Sequence, residues 1–444
     1  MHKIILFIIT CSAVAFNLSA QQQWTLEDCI NHAIQHNLTI QSTELSTESQ
    51  KIRLEQAKNQ RLPSLDANMG SSLNFGTGLN DKNVYVSQNS ANANMGLNAS
   101  VLVFSGFRVK NNIESQKFAT KAAEFELKKA KESLSVNIAS AYLQALYNKE
   151  QLSLANEQVR LSQISLERSQ SLAEYGKIPE GQVYEAKAQL SKDQYNAIQS
   201  KNTLKLSLLE LAQMLEIKEW EKFDISTPAI SMKSGEIVLE SADDIYQYAV
   251  KQKSEVKASE YRLLSSEKNV SVSKAALYPT ISLGAGYSNR YYNQQRNVSN
   301  GKIATLFEQL DVNGGSSIGL NMSIPIFSRF DNTNNIRLSK QELERAKIEL
   351  ESTKKVLQKE IQQAWFNAVK ALENHSSSIE SLDNAKEAYR FAEEKYNNGK
   401  STLYEYNQAK VNLATVQSNL LQAKYNLLFC MKILDFYKGN PIKL

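Results

Sequence analysis

Two histidines, two cysteines, one further histidine and one arginine carry the chemistry that spacing alone can raise. His32 and His36 stand four apart and would share one face of a helix, as two imidazoles must to hold a metal together. The stretch reads His-Ala-Ile-Gln-His. It lacks the glutamate that follows the first histidine of a zinc-protease motif, and it reads as a solvated helix face. Cys29 and Cys430 are too few for a disulfide framework and read as two independent thiols, one bridge between them being the alternative. His375 interrupts a seam of small apolar residues and reads as a water-exposed seam edge, with a pH sensor as the sharper alternative. Arg290 lies among Gly and Ser on one face of an alternating stretch, where it would set the charge of a polar lumen. A phosphate-binding loop and cysteine-pair metal spacing are absent. The chain reads as a non-enzyme with no cofactor and no metal.

The elements that would place these residues are long. Residues 107–174 contain no Pro and no internal Gly. At about 1.5 Å per residue they make a rod of about 100 Å. Its seam advances by alternating steps of four and three, through Leu134, Ile138, Ala141, Ala145, Asn148, Leu152, Ala155, Val159, Ser162 and Leu166. Small apolar residues at that period suit coiled-coil packing. Tyr175-Gly176 ends the rod, since Gly accepts the left-handed backbone of a helix stop. Adding 223 to each number reproduces the seam from Leu357 to Tyr389. Ala141-Tyr142 becomes Ala364-Trp365, Gly176-Lys177 becomes Gly399-Lys400, and Ala186-Lys187 becomes Ala409-Lys410. The chain is internally duplicated.

Residues 1–20 read as a signal peptide, with one Lys, the apolar run Ile4 to Phe16 and the exit Leu18-Ser19-Ala20. The first repeat spans 21–239: a helix pair over 25–61, a β-hairpin over 64–105, the long helix 107–174, a return helix 178–215 and a linker 216–239. The second spans 240–444: a helix pair over 241–275, a hairpin over 280–327, the long helix 330–397, a return helix 401–436 and a tail. The hairpins alternate with period 2. Leu65, Ala67, Met69 and Leu73 oppose Asp66, Asn68, Gly70 and Ser72; Ile318, Leu320, Met322, Ile324 and Ile326 oppose Gly319, Asn321 and Ser323. The segment from about 293 to 316 reads as a polar loop, seven residues longer than its counterpart. Net charge is +5, spread along the chain, which does not suggest nucleic acid.

Strands of about 11 residues cross a bilayer when tilted, yet four strands leave two open edges that lipid does not tolerate. A membrane reading therefore needs copies of the chain to share one barrel: two give eight strands and three give twelve. The other reading at this level is a soluble α+β protein with two amphipathic hairpins.

Signal peptide, helix pair, Pro-led hairpin, long rod, glycine turn, return helix and a full second copy resemble the TolC family of outer-membrane efflux proteins. Local patterns carry the resemblance too: Tyr396-Asn397-Asn398-Gly399, then Ala409-Lys410-Val411-Asn412-Leu413, and Ile324-Pro325-Ile326-Phe327 closing the last strand. The resemblance implies a mainly α fold with membrane β: a homotrimer with a 12-stranded barrel in outer-membrane lipid and a periplasmic coiled-coil tunnel. It implies a channel exporting small molecules or proteins, docked to a periplasmic adaptor and to an inner-membrane pump, proton-driven or ATP-driven. Gly176, Lys177, Gly399 and Lys400 would form the adaptor-docking turns, and Thr402 to Gln408 would line the closed aperture. Glu405 matches an acidic pore position and Tyr396 a tyrosine latch position, while Ser401, Gln182 and Gln408 stand where charged groups are expected. Three copies of Glu405 would make a cation-attracting ring; a solvated helix-end glutamate is the alternative. The different-class alternative for the whole chain is a periplasmic coiled-coil adaptor or scaffold without a pore.

Overall fold

The structure, a computed structural model, describes residues 23–79, 83–87, 89–228, 239–297, 299, 301 and onward to 443. The expected signal peptide and positions 229–238 of the linker lie outside the described residues. In chain order the elements are β1 (Gln23–Trp24), α1 (Leu26–His36), α2 (Leu38–Asn59), β2 (Ser64–Asn74), β3 (Thr77–Leu79), β4 (Tyr85–Ser87), β5 (Ser90–Ser105), α3 (Arg108–Glu174) and α4 (Glu180–Met214). There follow β6 (Asp224–Ile225), α5 (Ala242–Gln252), α6 (Ser254–Ala275), β7 (Thr280–Tyr292), α7 (Leu306–Val312), β8 (Gly315–Ser323), α8 (Asp331–Asn397) and α9 (Leu403–Tyr437). The two rods, α3 and α8, are 67 residues each, as long as an uninterrupted run without Pro or Gly permits.

The first helix pair breaks where a side chain rewards it. Thr25 caps α1 through a reciprocal box with Asp28: the Asp28 amide donates to Thr25 Oγ1 (3.2 Å) and the Thr25 amide to Asp28 Oδ2 (3.1 Å). Asn37 ends α1 in extended backbone, and its Oδ1 accepts from the Thr39 amide at the start of α2. Such side-chain acceptors satisfy amides that a helix start leaves bare.

Among the described residues two compact units are formed, one within 1–41, 130–250 and 357–444, the other within 42–129 and 251–356. In the first, a core of fully buried Ile138, Tyr142 and Leu146 from α3 packs with Leu211 and Leu215 and with Ile225 of β6. The duplicated aromatic has the same duty in both repeats. The Tyr142 hydroxyl lies 3.0 Å from the Trp24 carbonyl oxygen, and Trp365 Nε1 donates to the Glu240 carbonyl at 2.8 Å. Each ties its rod to the residue just ahead of a helix pair. The linker forms a short 3-10 turn and β6, which pairs parallel with β1.

In the second unit, β2, β5, β7 and β8 form an antiparallel sheet in that order. The register keeps the faces pure. Leu65, Ala99 and Ala285 lie opposite one another, as do Ala67, Leu97 and Tyr287; Asn68, Gly96 and Ser288 share the other face. Every residue of β2 and β8 is exposed, so neither face of those strands carries a protein layer. The apolar face includes Met69, Leu97, Ile318 and Leu320 in the open. A soluble sheet buries one face, a cover that this sheet lacks within the chain.

Two expectations change. β8 ends at Ser323, short of Ile324 and Ile326, because Pro325 has no amide to give to a ladder. The expected polar loop between β7 and β8 contains α7, started by a Thr305–Glu308 capping box.

Candidate functional site

Both rods end in the same hydrogen-bonded turn. The Gly176 amide donates to the Ala173 carbonyl and the Lys177 amide to the Leu172 carbonyl, each at 2.8 Å. Gly399 donates to Tyr396 (3.1 Å) and Lys400 to Lys395 (2.8 Å) in the same pattern. Gly176 has φ +66° and Gly399 φ +68°, the left-handed conformation a Schellman stop requires. All four turn residues are exposed, so two lysines stand at the ends of two rods with no neighbour covering them.

Beyond the second turn, α9 begins in a capping box. The Thr402 amide donates to Glu405 Oε2 at 3.1 Å, the Glu405 amide returns a bond to Thr402 Oγ1 at 3.2 Å, and the Ser401 hydroxyl donates to Glu405 Oε2 at 2.6 Å. The Ser401 hydroxyl, then the Thr402 amide, hold the Glu405 carboxyl below the usual carboxylate range. Glu405 is exposed, so its charge is open to solvent while one oxygen fastens the helix start. Ser401 thereby serves Glu405.

Tyr396 belongs to an aromatic cluster. Its ring stacks on Tyr406 at 5.0 Å, the Tyr406 and Tyr389 hydroxyls meet at 2.9 Å, and the Arg168 guanidinium lies 5.8 Å from the Tyr396 ring centre. Arg168 Nη1 also donates to Asn397 Oδ1 at 2.5 Å. The first repeat's rod is therefore joined to the second repeat's turn by one arginine, through a cation–π contact and a hydrogen bond. Burial pushes both the Tyr389 and Tyr406 phenols up, so both are neutral donors at ordinary pH. Gln182 is half-buried in the first turn of α4 and its amide donates to the Pro179 carbonyl; Gln408 is exposed on α9.

Two turns into α9 sits a lysine that the sequence marks only as a repeat position. Lys410 is only 4% exposed, and its Nζ donates to Ser162 Oγ at 2.6 Å. The Ser162 hydroxyl donates in turn to Asp193 Oδ2, and Gln189 Nε2 donates to Asp193 Oδ1 at 3.0 Å. Lys410 and Asp193 lie 3.9 Å apart, both buried. Burial pulls the Lys410 ammonium down, and the Asp193 charge opposes that shift. The signal was present as a break in the repeat: adding 223 to Ser162 and Asp193 reaches Ala385 and Val416, neither of which could hold a charge.

The remaining candidates fall elsewhere. Arg290 is exposed and lies opposite Asn94 on the Gly/Ser face of the sheet. His32 and His36 stack at 4.1 Å, with His36 Nδ1 2.9 Å from the His32 carbonyl. Among the described residues no three His, Cys, Asp or Glu side chains converge to hold a metal. His375 is 5% exposed, not a wet seam edge; burial first, then Lys424, holds its imidazole below its ordinary value. A neutral imidazole is what a seam of small residues can enclose. Cys29 and Cys430 are both buried and unbridged. The run Gly315-Ser316-Ser317-Ile318-Gly319 has the letters of a nucleophile elbow but lies wholly within β8, not on a strand-to-helix turn.

A sheet whose two edge strands are exposed throughout and whose one face is apolar, duplicated together with paired rods that end in glycine turns, fits the subunit of an outer-membrane channel. The chain belongs to the outer membrane efflux protein family, whose sequence pattern it matches over residues 29–215 and 245–429. It is 24% identical over 356 residues to the toxin and drug export protein A of Aggregatibacter actinomycetemcomitans, covering 78% of this chain and 73% of that protein. Its fold is similar to a membrane protein from Pseudomonas aeruginosa (TM-score 0.77, 16% identity, 94% of this chain and 91% of that one). It is similar also to the Campylobacter jejuni CmeC outer membrane channel (TM-score 0.76, 18% identity, 94% and 86%). The chain is the outer channel component of an efflux or secretion system, which sets aside the adaptor or scaffold alternative.

Proposed function

We propose that three copies of this chain close one 12-stranded barrel in the outer membrane, continued by a helical tunnel into the periplasm. The carrying observation is the bare sheet. Its strands alternate in direction from β2 to β8, so β8 of one copy meets β2 of the next antiparallel, and every open edge finds a partner. The apolar face then meets lipid, and the Gly, Ser and Asn face lines an aqueous lumen with Arg290 on its wall.

In this reading the turns at Gly176-Lys177 and Gly399-Lys400 face a periplasmic adaptor, which couples the tunnel to an inner-membrane pump. Three Glu405 carboxylates, with Gln408 one turn further and Gln182 on the facing return helix, ring the closed aperture. The Arg168–Tyr396 contact holds the second repeat's turn against the first repeat's rod. Cargo is small toxic molecules or proteins, in keeping with the name of the Aggregatibacter relative, a toxin and drug export protein.

The mass of the protein extracted from outer membranes in mild detergent, by light scattering corrected for bound detergent, tests the reading. Three chains per particle is the expected result. A stable monomer would leave two open edges and overturn it.

A further inference from the structure

β7 outruns its neighbour. Its last pair with β8 is Ser288 with Gly315, yet the strand continues to Tyr292. In place of backbone, the missing partner is supplied by side-chain amides from the α7 segment. Gln309, fully buried, accepts from the Tyr292 amide (2.8 Å) and donates to the Tyr292 carbonyl (3.0 Å); Asn313 Nδ2 donates to the Arg290 carbonyl (2.9 Å). α7 is thereby locked to the strand edge. It leans toward the apolar side of the sheet. Asn289, in register with Met95 on that side, donates to the Leu310 carbonyl (2.6 Å), and a Cβ at Gly314 would stand 2.5 Å from the Tyr287 hydroxyl.

α7 buries a glutamine and shows large apolar side chains outward. Its glutamine points in, while Leu306, Phe307 and Val312 stand exposed beside Glu308 and Asp311, Phe307 at 82%. Helices in water present the opposite pattern. We infer that α7 is an interfacial anchor, seating Leu306 and Phe307 among lipid acyl chains at the outer rim of the barrel. The occupant follows from continuity: α7 lies over the outer end of the face that carries Leu283, Tyr287 and Ile318. Anchoring holds the longer outer loop at the rim and not across the mouth. The inference rests on the proposal that this sheet is a barrel wall in a bilayer.

The test uses the assembled protein in vesicles of phosphatidylcholine brominated on its acyl chains, which quench only nearby indoles. Phe307→Trp and, as the wall reference, Leu320→Trp are each compared with the parent protein, whose Trp24, Trp220 and Trp365 set the background. Both added emissions should lose most of their intensity to the bromines. If Leu320→Trp is quenched and Phe307→Trp is not, the anchor is overturned and the barrel stands. Blue emission would then place α7 against a second copy or over the lumen, and red emission would place it in water. If neither is quenched, the barrel falls and the anchor with it.

Discussion

Lys410 of the second repeat and Ser162 of the first are joined by a 2.6 Å hydrogen bond, and the duplication is broken at the serine. Their counterparts are Lys187, which is exposed, and Ala385, which has no hydroxyl. Perfect repeats would leave the two hairpins interchangeable. A buried polar contact made by one pairing only distinguishes α9 from α4, much as a single polar seam residue sets register in a coiled coil.

Removing one partner of that contact should cost more than removing both. Asp193→Ala leaves the Lys410 ammonium buried without its counter-charge, and about 3 kcal/mol of stability should be lost. Lys410→Met with Asp193→Leu should recover most of it. Denaturant unfolding in detergent, arranged as a double-mutant cycle, checks this; additive losses would mean that the two groups are not coupled.

The same lysine gives an alkaline signature. Its folded pKa lies below the free-chain value of 10.5, so between those two values the unfolded chain binds the additional proton. Stability should therefore rise with pH through that window and level off above 10.5. Lys410→Met should remove this rise in a pH series of thermal melts.

At the tips, backbone conformation is the only obstacle to a side chain. A Cβ at Gly176 or Gly399 meets no atom within 4 Å, while φ near +67° strains any L-residue by roughly 1–2 kcal/mol. Gly399→Val should therefore speed amide exchange around Tyr396 to Ser401, and Gly399→Asn should do so far less. Unaltered adaptor binding by the valine variant would take this turn out of the docking surface.

Glu405 combines two duties that pH can separate. Its lowered pKa means that its capping contribution is fully present above the free-chain value of 4.5 and is lost as pH falls through the lower folded value. Glu405→Gln should reduce cation preference in bilayer conductance at neutral pH and flatten its dependence below pH 4.5. Unchanged selectivity would leave Glu405 as a helix cap alone.

The sheet register makes a paired prediction. Leu320→Arg places a charge on the lipid face, at a cost of about 2–4 kcal/mol near the bilayer centre, and the yield of assembled particles should collapse. Asn321→Arg, one residue along, lies on the proposed lumen face and should assemble normally while shifting conductance toward anions. Equal behaviour of the two variants would contradict the assigned faces.

Periodicity alone fixed most of the elements. A seam in steps of four and three, the Gly at 176 and 399, and alternation after Pro63 and Pro279 are local properties, because helix and strand geometry repeat over a few residues. The long helices and the hairpin faces were legible from them, and so was the duplication. What remained hidden depends on residues far apart in the chain. Lys410 looked like one more repeat lysine until folding brought Ser162 and Asp193 to it. His375 looked like a wet seam edge until its neighbours closed over it. Gln309 was one polar letter in a loop until it stood in for a missing strand. Local spacing decides which face a side chain takes; only tertiary packing decides what, if anything, waits on that face, since burial and pairing are set by the other elements.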